Sequence, residues 1–135
     1  MSTTKKHIPE TLILGNDSID SEHDVLFSLF DKIQNALDNS NYMFDFEEII
    51  GELVSYVSFH FKNEEKLMTK LGYPNQLWHK KQHNLMKAHV HGYLYRFKSD
   101  KESQKNIAID INDFIKTWLI NHIAKEDMTF ANYMK

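Results

Sequence analysis

Ile19, His23, Leu26, Phe30, Ile33 and Leu37 recur along this chain at alternating steps of four and three, the spacing that keeps one stripe of a helix turned to its neighbours. This rhythm predicts a first helix over roughly residues 18–38. After a polar break at Asn39 to Asn41 it resumes with Phe46, Ile50, Leu53, Val57, His60, Glu64, Leu67 and Leu71, predicting a second helix over 42–71. Gly72 is placed to stop that helix and Pro74 to open the next, because Gly favours the residue after a helix and Pro its first turn. His79, His83, Met86, Val90, Tyr93 and Phe97 form a third seam, predicting a helix over 74–97 that ends before the polar stretch Lys98 to Asn106. The fourth seam is Ala108, Ile111, Ile115, Trp118 and His122, widened by Phe114, Leu119 and Ile123, within a helix over 104–133.

Four amphipathic helices with short connections imply an all-α fold, an up-down-up-down four-helix bundle forming a single domain over 1–135. Residues 1–17 show no such rhythm and are expected to wrap the bundle as an extended arm anchored by Ile8, Leu12 and Ile13. No second, outward-facing apolar seam stands out, so a monomer is the default expectation.

Composition agrees with that picture and narrows the chemistry. With only four Gly and two Pro in 135 residues, the chain suits long helices better than a turn-rich sheet. Its net charge is −3, and fifteen Lys with the single Arg96 are spread among acidic neighbours, so nucleic acid is not an expected partner. No apolar run approaches the roughly 18 residues needed to span a membrane, nor do the first residues hold a signal-peptide core. The expectation is therefore no membrane partner and a cytoplasmic location. The absence of Cys excludes disulfides, iron–sulfur clusters and thiolate chemistry, so any metal must rest on imidazole and oxygen.

The decisive feature is what the seams contain. His23, His60, Glu64, His79, His83 and His122 all occupy positions the pattern assigns to the interior. One such histidine is ordinarily a hydrogen-bonded core residue. Five, with at least one from each helix, are hard to satisfy by mutual hydrogen bonds and point to a metal. His60 and Glu64 are four apart, as are His79 and His83, so each pair shares a helix face. The zinc-protease helix is excluded because Lys80 follows His79 where that motif needs Glu, and ferritin-like di-iron sites are excluded because no Glu-x-x-His occurs. Asp127 lies five residues after His122, well off its face at about 100° per residue. Taken alone it reads as a solvated residue; a π-type bulge near 122–127 would bring it back, so we expect one there.

Taken together, these residues resemble the hemerythrin family, in particular its bacterial single-domain members, the bacteriohemerythrins. The resemblance covers roughly residues 10–133: Ile19-Asp20-Ser21-Glu22-His23 with Leu26, His60-Phe61-Lys62-Asn63-Glu64-Glu65 with Leu67-Met68, Tyr73-Pro74 leading to His79 and His83, and Trp118-Leu119-Ile120-Asn121-His122-Ile123 with Asp127. Two positions depart from the family pattern. The arm stretch Thr11-Leu12-Ile13-Leu14 lacks the usual Trp, and Phe130 stands where Tyr is common. Neither belongs to the ligand set.

The resemblance implies two non-haem iron ions, bridged by one oxygen atom. One iron would be held by His79, His83 and His122, the other by His23 and His60, with Glu64 and Asp127 bridging. One coordination position then stays open on the two-histidine iron, which is where dioxygen would bind. The implied function is reversible dioxygen binding for storage, delivery or sensing, without enzymatic turnover, and the implied small-molecule partner is dioxygen. The resemblance suggests that Phe61 and Leu119 line the oxygen pocket, and Ile123, one helical step from a ligand, is a further candidate. An enzyme on the same scaffold, acting on peroxide, nitric oxide or ferrous iron, is the alternative, and a metal-free structural bundle or an iron reservoir is a third class. His7, His89 and His91 read as surface residues. Asp24 and Glu65 read as solvated, with a hydrogen bond to a ligand imidazole as their other role.

Overall fold

Asn16 starts the first helix: its Oδ1 accepts the Ile19 N–H at 3.0 Å, satisfying one of the donors that every helix start leaves unpaired. From there α1 runs Asp17–Asp38. The computed structural model describes residues 7–38 and 43–135, the side chains of 43–46 and 101 excepted. The remaining helices are α2 (Met43–Leu71), α3 (Gln76–Ser99), α4 (Gln104–His122) and α5 (Met128–Met134). A five-residue π-helical turn, Ile123–Asp127, joins α4 to α5 without a break. The polar break at Asn39 to Asn41, the side chain of Phe46 and the first six residues of the arm lie outside the described residues.

The turn between α2 and α3 follows from Gly72. At φ 64° it adopts the left-handed conformation that costs glycine little. This lets Tyr73 N–H reach Met68 O at 3.0 Å and Gly72 N–H reach Thr69 O at 3.3 Å, closing the end of α2 in a Schellman motif. Pro74 does not open α3 as the sequence suggested. It sits inside this turn, and α3 begins at Gln76 after Asn75, whose carbonyl accepts the His79 N–H at 3.0 Å.

α1 packs on α2 and α4, and α3 packs on the same two, so α1 and α3 lie diagonally in an up-down-up-down bundle. Away from the histidines the core is apolar apart from the buried Asn112, with Leu26, Ile33, Leu53, Met86, Ala108, Ile111 and Ile115 fully buried. Each large side chain so buried contributes about 1.5–3 kcal/mol. That half of the bundle supplies stability against which a polar cluster, costly to bury, is held in the other half. Leu71 departs from the second seam at 41% exposed, at the end of α2 where the chain turns away at Gly72.

The arm is anchored by Ile8, Leu12 and Leu14, whereas Ile13, an expected anchor, is 41% exposed. One reason is that a single 3-10 turn, Glu10–Leu12, shifts the register by which side chains face the bundle. Two carboxylates of α1 hold the backbone. Asp20, 3% exposed, accepts Leu14 N–H at 2.8 Å and Gly15 N–H at 3.0 Å, while Asp24 accepts His7 N–H at 2.8 Å and Ile8 N–H at 2.9 Å. Asp24 is therefore an arm clamp and not a free surface carboxylate. Replacing Asp20 with Ala is expected to cost about 1.5–3 kcal/mol in urea unfolding, since it orphans two donors beside the core. A loss below about 0.5 kcal/mol would show that water replaces the carboxylate freely.

Candidate metal centre

The structure brings His23, His60, Glu64, His79, His83, His122 and Asp127 into one buried cluster, none more than 5% exposed. α1 supplies His23, α2 supplies His60 and Glu64 one turn apart, and α3 supplies His79 and His83 one turn apart. Asp127 is turned inward by the π-helical turn: the additional residue per turn cancels the offset that five α-helical steps from His122 would leave.

The donor atoms gather about two centres. His79, His83 and His122 form one set, their Nε2 atoms linked by separations of 3.1 Å. His23 and His60 form the other, with Nε2 atoms 3.0 Å apart. Each carboxylate spans both. Glu64 turns Oε1 to His79 at 2.7 Å and His83 at 3.4 Å, and Oε2 to His60 at 3.4 Å. Asp127 turns Oδ1 to His79 at 2.9 Å and His122 at 3.1 Å, and Oδ2 to His23 at 3.2 Å. Two groups of donors, one holding three histidines and one holding two, share both carboxylates.

This arrangement does not satisfy itself. Despite these short separations, all four oxygens of Glu64 and Asp127 lack a partner in hydrogen-bonding direction. Nδ1 of His60 donates to Glu22 Oε1 at 2.6 Å and Nδ1 of His83 donates to Glu65 Oε2 at 2.8 Å, which leaves their Nε2 lone pairs facing the cluster. Bare nitrogens and unpartnered carboxylate oxygens aimed at common points repel one another unless a cation lies between them. A nitrogen and oxygen set without thiolate suits iron, manganese or zinc. The residues present fit a metal.

Electrostatics within the protein alone show the same tension. Burial works against a charge on His79, yet the Asp127 and Glu64 carboxylates override it and raise its pKa to about 9. Burial favours protonated Asp127, but the charge of His122 and the approach of His122, His23 and His79 hold its carboxyl well below the usual range. Glu64 is lowered against burial by His79 and His83 in the same way.

Phe61 stacks on the His83 ring at 3.8 Å with the planes 3° apart, and Leu119 and Ile123 are fully buried. Trp118, which the seam marked only as apolar, stacks on His122 at 4.4 Å. Phe130, at the position where the family commonly has Tyr, is buried against Tyr73 at 4.7 Å, and both border His79. Glu22 was not singled out from the sequence as a partner for His60; Glu65 takes the hydrogen-bonding role considered for it. His7, His89 and His91 are exposed, and His7 Nδ1 lies 3.0 Å from Asp31.

The hemerythrin HHE cation binding domain matches residues 14–133. The chain belongs to the hemerythrin family. A bacteriohemerythrin of Clostridium acetobutylicum is 32% identical over 122 residues, covering 88% of this chain and 93% of its own length. A bacteriohemerythrin of Stenotrophomonas maltophilia is 30% identical over 126 residues, covering 93% of this chain and 79% of its own. A hemerythrin-like protein of Naegleria gruberi is 31% identical over 121 residues, 90% and 87% respectively. Membership implies non-haem iron as the metal of a hemerythrin-type protein, in accord with the donor chemistry of the cluster. Among the described residues no helix is long and apolar enough to cross a membrane.

Proposed function

We propose that the chain binds dioxygen reversibly at a pair of non-haem iron ions, for storage, delivery or sensing. His79, His83 and His122 would hold one ion, His23 and His60 the other, and Glu64 and Asp127 would bridge them. The observation that carries the reading is that each carboxylate turns one oxygen to the three-histidine set and the other to the two-histidine set. Iron held there would supply a reducible centre, and the side with two histidines offers it fewer protein donors than the side with three.

The protein's part is to shape that position. Glu22 and Glu65 fix the tautomers of His60 and His83 and make their Nε2 atoms better donors. Phe61, stacked on the His83 ring, and the fully buried Leu119 and Ile123 would wall the site with apolar surface that keeps out water while tolerating a small neutral molecule. With five neutral imidazoles against two carboxylates, the site offers little anionic charge to stabilise high-valent iron, which favours binding over oxidation of a substrate. That balance is the reason for preferring a carrier to an enzyme acting on peroxide, nitric oxide or ferrous iron.

The test is a visible spectrum with iron counted per chain, taken after anaerobic reduction and again after admitting air. Two irons per chain and a charge-transfer band that vanishes on deoxygenation and returns in air are expected. A band that never returns after one exposure, or steady peroxide turnover well above slow autoxidation, would move the enzyme reading ahead.

A further inference from the structure

α3 is unlike its neighbours in charge. It carries Lys80, Lys81, Lys87, Arg96 and Lys98 and no acidic residue, while α1, diagonally across the bundle, carries six Asp or Glu against the single Lys32. In a chain of net charge −3, α3 is thus a helix whose own charge is all positive. The same helix has an outward apolar stripe that the sequence reading did not separate from the inward seam: Leu77 is 85% exposed, Trp78 55% and Leu85 50%. Apolar residues on both faces blur the helical period, so the second stripe does not show as a separate rhythm.

These two features meet over the metal centre. Leu77, Trp78, Lys80 and Lys81 bracket His79 in sequence, and a surface cleft of about 330 Å³ between Trp78, Tyr73 and Lys125 reaches His79 itself. The cleft carries Lys125 and one carboxylate, Glu126, beside Trp78, and an exposed aromatic one residue from a buried ligand, with lysines on its own helix, has the composition of a protein-docking hot spot. The two-histidine set is bordered instead by a carboxylate of the acidic α1, Glu22, which accepts from His60.

We infer that the N-terminal half of α3 is the docking surface for an acidic one-electron carrier protein, which reduces the iron held by His79, His83 and His122. The inference rests on the di-iron reading above. It follows from charge complementarity with a helix free of acids, from the exposed Leu77 and Trp78, and from the absence of Cys, which leaves no thiol pair to supply electrons internally. In each encounter one electron passes from the reduced carrier to one ferric ion and the carrier leaves oxidised. Two encounters return an oxidised pair to the ferrous state that binds dioxygen, and electrons are delivered on the side away from the open position.

An acidic [2Fe–2S] ferredoxin of the plant type is a suitable probe, being a one-electron carrier of low potential. Its affinity for the iron-loaded protein is measured by calorimetry at low ionic strength, and the reduction rate by stopped flow. The double variant Lys80→Glu/Lys81→Glu is expected to weaken binding by about tenfold and slow reduction in proportion, with Trp78→Ala weakening it several-fold. Lys116→Glu, an exposed change on α4, should alter neither. Equal affinity in the double variant, equal loss with Lys116→Glu, or binding to anionic phosphatidylglycerol vesicles with none to ferredoxin would each overturn the surface. Iron is counted before ferredoxin is added and the calorimetry is repeated on the chelator-stripped chain, so a chain that takes up no iron fails the di-iron reading while the docking result is still read from binding alone.

Discussion

Exchanging Glu64 for glutamine is expected to strip the chain of iron while leaving its helices in place. Glu64 is the one residue of α2 that faces both histidine sets, with Oε1 2.7 Å from His79 and Oε2 3.4 Å from His60. Glutamine keeps its volume, so the packing around it survives, but it offers a neutral amide where two cations need an anion. Losing even a hydrogen-bonded supporter of a metal ligand costs roughly 10–100-fold in affinity. Losing a shared ligand should cost at least that for both ions. At submicromolar free iron, Glu64→Gln should retain less than about a tenth of the wild-type iron and no visible band. Far-ultraviolet circular dichroism should be unchanged, and the metal-free variant should be less stable than the metal-free parent, because it loses the carboxylate charge that faces the His79 imidazole at 2.7 Å. His23→Leu provides the contrast: it touches only the two-histidine set and should leave about half of the iron. Full iron in Glu64→Gln, or equal loss in both variants, would sink the shared-bridge arrangement.

What makes this site legible in sequence is that burial of a histidine is chemically loud. His23, His60, His79, His83 and His122 interrupt apolar seams at positions where Leu or Ile would be expected, and a helix cannot hide them without a reason. The bundle was legible for the same reason in reverse, since steps of four and three persist through every helix. Asp127 was reached only by combining the family pattern with the arithmetic of an α-helix, and the π-helical turn resolves that conflict.

The features that stayed hidden lie at half-buried positions. Glu22 is an acidic residue on the flank of a helix, where solvated carboxylates are ordinary, and only the approach of α2 makes it the partner of His60. Asp20 was quoted only as part of a family motif, because its role depends on where the arm's backbone passes. Leu14 and Ile13 are adjacent apolar residues in an aperiodic segment, and no spacing rule says which faces inward. Tertiary proximity decides each of these, and local pattern does not encode it.

Removing the metal should lower the melting temperature by more than about 10 °C at pH 8, and by less as the pH falls. Ligands drawn from α1, α2, α3, α4 and the π-helical turn exist together only in the folded chain, so metal binding stabilises that state alone. At free metal about a thousandfold above its dissociation constant the gain is about 4 kcal/mol, which for a chain of this size corresponds to that shift. The pH dependence follows from His79. Burial opposes its protonation, but Asp127 and Glu64 raise its pKa to about 9 in the metal-free fold, above the 6.5 of an unperturbed imidazole. A raised histidine stabilises the metal-free fold fully below 6.5, and that contribution fades as the pH climbs to about 9. Metal binding needs the same imidazole neutral and must displace its proton, so it gains strength over the same interval. These are two views of the one His79 proton, and its loss widens the gap between metal-loaded and metal-free protein as the pH rises towards 9, while the carboxylates, held low, stay ionised throughout and add no slope. Paired melts of loaded and chelator-stripped protein across this interval measure the gap. A gap that is flat or narrows with pH would mean that His79 does not give up a proton to the metal, and would remove it from the ligand set.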